Sequence, residues 1–117
     1  MNITVKARHM DITEAIRKYA ESKAGRLDRF YDGVQTAEMI LDTEAEHTVV
    51  EMVVTGRRKA TFVASARNPD MYAAVDQCVG KVAAQLRRHK DRVRDRQGPP
   101  HSEVLSAGSS AEPGEAG

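Results

Sequence analysis

The sequence has no tryptophan, one cysteine and five aromatic residues, Tyr19, Phe30, Tyr31, Phe62 and Tyr72. With so few rings the core must be mostly aliphatic. The lone Cys78 excludes an internal disulfide, and with no signal-peptide pattern this fits a reducing cytosol. No apolar run approaches the ~20 residues of a membrane span. The longest, near Val49–Val54, is interrupted by Glu51. The 117 residues are enough for one domain, and a hydrophobic content of 40% supports one modest core.

Catalytic and metal-binding patterns are also missing. The histidines stand at 9, 47, 89 and 101, none three or four residues from another and none near Cys78, so no metal-ligand spacing exists. Asp42, Glu44 and Glu46 alternate along one segment, but no nucleophile or oxyanion donor accompanies them, and they read as a solvated strand end. No Gly-rich phosphate loop is present. The reading is a protein that is not an enzyme and needs no cofactor.

What is present is an uneven charge. The net +1 conceals a slightly acidic first two-thirds and an acidic end. Between them lies a basic stretch: Lys81, Arg87, Arg88, Lys90, Arg92, Arg94 and Arg96 against Asp91 and Asp95. A polyanion meets the local charge, not the average.

Periodicity supplies the framework. Asn2–Arg8 alternates polar and apolar residues, as a strand does. Asp11-Ile12-Thr13-Glu14 has capping-box spacing, and a helix with Ile12, Ile16, Tyr19, Ala20, Leu27 and Phe30 on one stripe should follow to about Tyr31, where Asp32-Gly33 ends it. Three strand candidates come next, with Met39 and Leu41, then Val50, Met52 and Val54, then Ala60, Phe62, Ala64 and Ala66 on one face. Their short spacers, Glu44–His47 and Gly56-Arg57, favour antiparallel pairing. Asn68-Pro69-Asp70 begins a second helix: a capping side chain, Pro at the first helical position, then a carboxylate at the positive end. Its stripe is Met71, Val75, Cys78, Val79, Val82, Leu86 and Val93, and it should run to about Arg96. Gly98-Pro99-Pro100 stops it.

The predicted order is β-α-β-β-β-α, an α+β domain over residues 1–96. Both helices cover one face of a four-stranded sheet, because each has one apolar stripe to bury. A right-handed first crossover makes strands one and two parallel. The other face mixes Ile40, Val49, Val53 and Val63 with charged residues. Residues 97–117 have almost no large apolar side chains and read as a disordered tail.

On the second helix, Lys81, Gln85, Arg88 and Arg92 share one line, and Arg87, Lys90 and Arg94 form another on the far flank of the apolar stripe. A solvated helix end needs only a few cations. Lines of forked Arg donors suit phosphates. His89, inside the tract, either reaches a phosphate or packs at the helix edge. Lys23 either snorkels along its own helix or points into the groove between the helices. The scarcity of aromatics disfavours base stacking and favours phosphate and 2′-hydroxyl contacts on structured RNA.

Several segments carry a family resemblance: Ile12-Thr13-Glu14-Ala15-Ile16-Arg17, Lys23 with Arg26-Leu27, Asp70-Met71-Tyr72-Ala73-Ala74-Val75-Asp76, and Gln85-Leu86-Arg87-Arg88-His89-Lys90-Asp91. Over about residues 1–96 the chain resembles the ribosome hibernation-promoting factors, also called sigma-54 modulation proteins. The resemblance implies a double-stranded-RNA-binding-like fold and binding to the small ribosomal subunit in the tRNA and mRNA channel. It also implies inhibition of translation and protection of idle ribosomes. By matched position it implies Lys23, Arg26, Lys81, Arg88, Lys90 and Arg92 as ribosomal RNA contacts; the basic tract adds Arg87 and His89. Long members carry a second domain that pairs ribosomes, and residues 97–117 are too polar to form one. Ribosome dimers are therefore expected to need a separate partner. Two other classes fit the residues: an RNA-binding module acting off the ribosome, and a protein-interaction adaptor using the Ile40, Val49, Val53, Val63 face, as a modulator of transcription.

Overall fold

The computed structural model describes residues 1–97, with side chains through Val93. The expected 97–117 tail, apart from Gln97, lies outside the described residues. The elements are β1 (Asn2–Ala7), α1 (Glu14–Gly25), a 3-10 turn (Arg26–Arg29), β2 (Val34–Glu44), β3 (His47–Gly56), a second 3-10 turn (Arg57–Lys59), β4 (Thr61–Asn68) and α2 (Met71–Gln97). The sheet order is β1-β2-β3-β4, with β1 parallel to β2 and the other pairs antiparallel.

Register explains the core. Val5 stands opposite Met39, Met39 opposite Met52, and Met52 opposite Ala64, one row across the whole sheet. Leu41, Val50 and Ala66 make the row on one side of it, and Ala37, Val54 and Phe62 the row on the other. Side chains alternate along a strand, so these rows share a face. Ile16, Ala20, Ala24 and Leu27 from the α1 side and Val75, Cys78, Val82 and Leu86 from α2 bury against them. The small Ala residues let α1 sit close. The opposite face carries Ile40, Val49 and Val53, half-buried, and Val63, 59% exposed. Lys6–Glu38 at 3.0 Å, Arg8–Glu51 at 3.1 Å and Arg67–Glu44 at 3.9 Å lie among them. No helix of the described residues is long and apolar enough to cross a membrane.

Three boundaries differ from expectation. The cap of α1 is Thr13, whose hydroxyl accepts from the Ile16 N–H at 3.2 Å, not Asp11; the carboxylate three residues from Asp11 only marks the first turn. The helix ends at Gly25 rather than Tyr31. Gly25 weakens the helix, and the Arg26 N–H turns back to Lys23 and Ala24 carbonyls. The tighter turn buries Leu27 and leaves Arg26 and Arg29 exposed. At α2 the cap is Asp70, not Asn68: Asp70 Oδ1 accepts from the Tyr72 N–H at 2.9 Å, and Asn68 Oδ1 accepts from the Asp70 N–H at 2.8 Å. Asn68 makes the turn, Asp70 caps the helix, and Pro69 lies before it. The β2–β3 hairpin turns on Ala45 and Glu46, at φ 49° and 65°. A two-residue hairpin asks for that left-handed backbone, though Asn-Gly adopts it more easily.

Candidate nucleic-acid interface

The C-terminal half of α2 carries cations on both flanks of its buried stripe. On the β4 flank, Lys81 Nζ donates to the Ser65 carbonyl at 2.7 Å and Gln85 Nε2 to the Val63 carbonyl at 2.8 Å. β4 is an edge strand, so these side chains cover outward carbonyls that no neighbouring strand takes up. Lys81 therefore has a structural partner already. Farther along the flank, Arg88, His89 and Arg92 line an open groove of about 510 Å³ with Ala60, Thr61, Phe62 and Gln85.

His89 packs edge-on against Tyr31, with ring centres 4.9 Å apart, and against Phe62 at 5.2 Å. This is the packed place that one of its two sequence readings describes, at the helix edge between Arg88 and Lys90. Gly33 leaves room for this, since a Cβ there would run into the Tyr31 ring.

The other flank faces α1. Lys23, Arg26 and Arg29 line a second groove, of about 310 Å³, with Phe30, Asp76, Val79, Gly80 and Ala83. Lys23 does point into the space between the helices. Its ammonium is 3.5 Å from Asp76 Oδ1, with 28% side-chain exposure, and stands 5.4 Å from the centre of the Tyr19 ring. The Tyr19 hydroxyl donates to the same carboxylate at 2.7 Å. That bond, with burial and the Asp76 charge added, raises the Tyr19 pKa above 10.0. A phosphate entering here must compete with Asp76 for Lys23. The Arg87 guanidinium lies over Phe30 at 5.1 Å. Lys90 is exposed.

The eight side chains singled out in the sequence thus fall into two groups rather than one patch. Lys23, Arg26 and Arg87 lie toward α1, and Lys81, Arg88, His89 and Arg92 toward β4, with Lys90 exposed between His89 and Asp91. Sequence reading missed Arg29, whose place depends on the 3-10 turn. It also missed Arg57, Arg58 and Lys59 as a cluster: only Arg57 was read as spacer, although three adjacent cations in one turn were a usable signal. Cys78 is fully buried with its Sγ 3.6 Å from the Ala64 carbonyl, and burial pushes its pKa up to about 12. Such a thiol is inert packing. Asp42 meets His9 Nδ1 at 3.0 Å, and this bond holds its pKa below 3.8.

Comparison with known proteins agrees with the fold. The family model for sigma 54 modulation protein / S30EA ribosomal protein matches residues 3–94. The chain is 34% identical to the ribosome hibernation promoting factor of Azotobacter vinelandii, over 83% of this chain and 90% of that protein. It is 32% identical to that of Escherichia coli K12, over 80% and 98%. Among solved structures, the protein Y N-terminal domain of Thermus thermophilus superposes with a TM-score of 0.69 at 32% identity, covering 76% of this chain and 99% of that one. A ribosomal subunit interface protein from Coxiella burnetii gives 0.72 at 27%, covering 78% and 99%. The chain belongs to the sigma 54 modulation protein / S30EA ribosomal protein family.

Proposed function

We propose that the protein is a ribosome hibernation factor. It binds the small ribosomal subunit in the tRNA and mRNA channel, blocks translation and protects idle ribosomes in the cytoplasm. The single observation that carries this reading is the pair of cation-lined grooves flanking α2, on a fold shared with ribosome hibernation promoting factors. Lys23, Arg26, Arg87, Arg88, Lys90 and Arg92 contact ribosomal RNA phosphates. Lys81 does so only by leaving Ser65, and His89 acts mainly by holding the helix edge.

The rings support backbone rather than base recognition. Phe62 is buried, and Tyr19, Phe30 and Tyr31 are half-buried. Tyr72, the exposed one, packs on Tyr19 at 4.8 Å, far along α2 from the basic end. That suits structured RNA better than splayed single strands. The adaptor reading has less support: ion pairs interrupt the outer sheet face, and only Val63 stands well exposed among its aliphatics.

Sucrose-gradient sedimentation of the protein with purified ribosomal subunits tests the assignment. Migration with small subunits is the expected result. Protein left at the top of the gradient, or migrating only with large subunits, contradicts it.

A further inference from the structure

The turn between β3 and β4 is Arg57-Arg58-Lys59, and all three side chains are exposed. Arg58 has φ 60° and ψ 32°, and Lys59 φ 64°. Backbone bonds hold this turn. The Arg57 N–H donates to the Gly33 carbonyl at 3.1 Å, the Gly56 N–H to Ala60 at 2.8 Å, and the Ala60 N–H to Arg57 at 3.2 Å. The three cations therefore project from a fixed support.

The edge contacts of β4 show what lies next to it. Lys81 meets Ser65 and Gln85 meets Val63, so α2 runs antiparallel to β4. Four helical residues advance about 6 Å and two strand residues about 6.6 Å, so the two elements stay in step. Continued toward the start of β4, this register brings Arg88 beside Thr61 and Arg92 beside the turn. The groove lining agrees: Ala60 and Thr61 stand with Arg88 and Arg92, and among the described residues no carboxylate lines it. Among the described residues, Arg58, Lys59, Arg88 and Arg92 make no ion pair, and Arg57 has only exposed Asp32, at 4.0 Å. Five cations gathered with one acid among the described residues, Asp32, repel one another in the free protein and favour a polyanion.

We propose that Arg57, Arg58 and Lys59, with Arg88 and Arg92, form a second phosphate-binding lobe that grips RNA backbone on the β4 side of α2. The inference rests on the RNA-binding reading above and extends it to a turn outside the two helices. RNA backbone fits better than a protein partner. The groove offers forked Arg donors, and its one large apolar side chain, Phe62, is already buried.

The test compares three full-length proteins for binding to purified small subunits over about 50–200 mM salt. They are wild type, the turn variant Arg57→Gln/Arg58→Asn/Lys59→Asn, and a control, Lys6→Gln/Arg8→Gln/Arg67→Gln, which removes as many cations from the outer sheet face. Asn tolerates the left-handed backbone. The turn variant is expected to bind at least about tenfold more weakly near 100 mM. Its slope of log affinity on log salt should be shallower than wild type by about 2.1 to 2.7. The control should stay close to wild type. Should the triple variant melt early, Arg58→Gly suits the backbone and should reduce the slope by about 0.7 to 0.9. A turn variant indistinguishable from wild type overturns the lobe and leaves the ribosome reading standing. An equal loss in the control also overturns it, by making the effect one of net charge. Wild type that does not bind small subunits overturns the RNA reading itself, and the lobe with it.

Discussion

Gly80 lies deep inside α2, exposed on the side facing the 3-10 turn after α1. A Cβ built there meets nothing within 4 Å. Gly80→Ala therefore adds neither a clash nor a packing contact, and the difference reduces to helix propensity. Glycine in a helix interior is worse than alanine by about 0.8–1.0 kcal/mol, mainly through the larger backbone entropy of the unfolded chain. For a domain of this size, 1 kcal/mol moves the midpoint by about 4–8 °C. The expected outcome is a rise of roughly 3–8 °C in a thermal melt followed by circular dichroism, and a higher urea midpoint at unchanged m-value. A melting point equal to or below wild type would falsify the claim that α2 is regular and unobstructed at this position.

Val82→Asp should abolish the cooperative melt, because Val82 is fully buried and the new charge has no partner. Arg88→Glu should leave the melt intact and weaken small-subunit binding in a pelleting assay; equal affinity would remove that flank from the interface. Tyr19 should titrate above 10.0 by ultraviolet absorbance, and Asp76→Asn should bring it back toward that value. Its folded pKa is raised, so its share of stability is present below 10.0 and lost as pH rises through the higher folded value; a profile unaltered by Asp76→Asn would contradict the bond. Lys81→Ala/Gln85→Ala should speed amide exchange in β4 with only a small fall in melting temperature, since water replaces the lost donors at the Val63 and Ser65 carbonyls.

The element order and the parallel β1–β2 pair were legible because the strands keep strict alternation and both helices keep one apolar stripe. Capping was harder. Asp11 and Thr13 both offer an oxygen before α1, and only the Ile16 N–H decides between them. Likewise Asn68 and Asp70 share the entry to α2. The site was half visible: the basic run at 81–96 and its two lines follow from helical spacing, but what packs beside each line does not. Nothing in the sequence ties Lys81 to an edge carbonyl, or His89 to Tyr31 and Phe62, because those partners lie far away along the chain. Arg57-Arg58-Lys59 stood out as three adjacent cations, but only the register between β4 and α2 relates them to Arg88 and Arg92.

Binding to isolated small ribosomal subunits, measured against salt, tests most directly whether phosphate contacts drive the interaction. With about five or more cations on ribosomal RNA, log affinity should fall with log salt at a slope of about −3.5 or steeper, a loss of roughly two decades or more between 50 and 200 mM. A slope near zero, at any affinity, contradicts a phosphate-held complex.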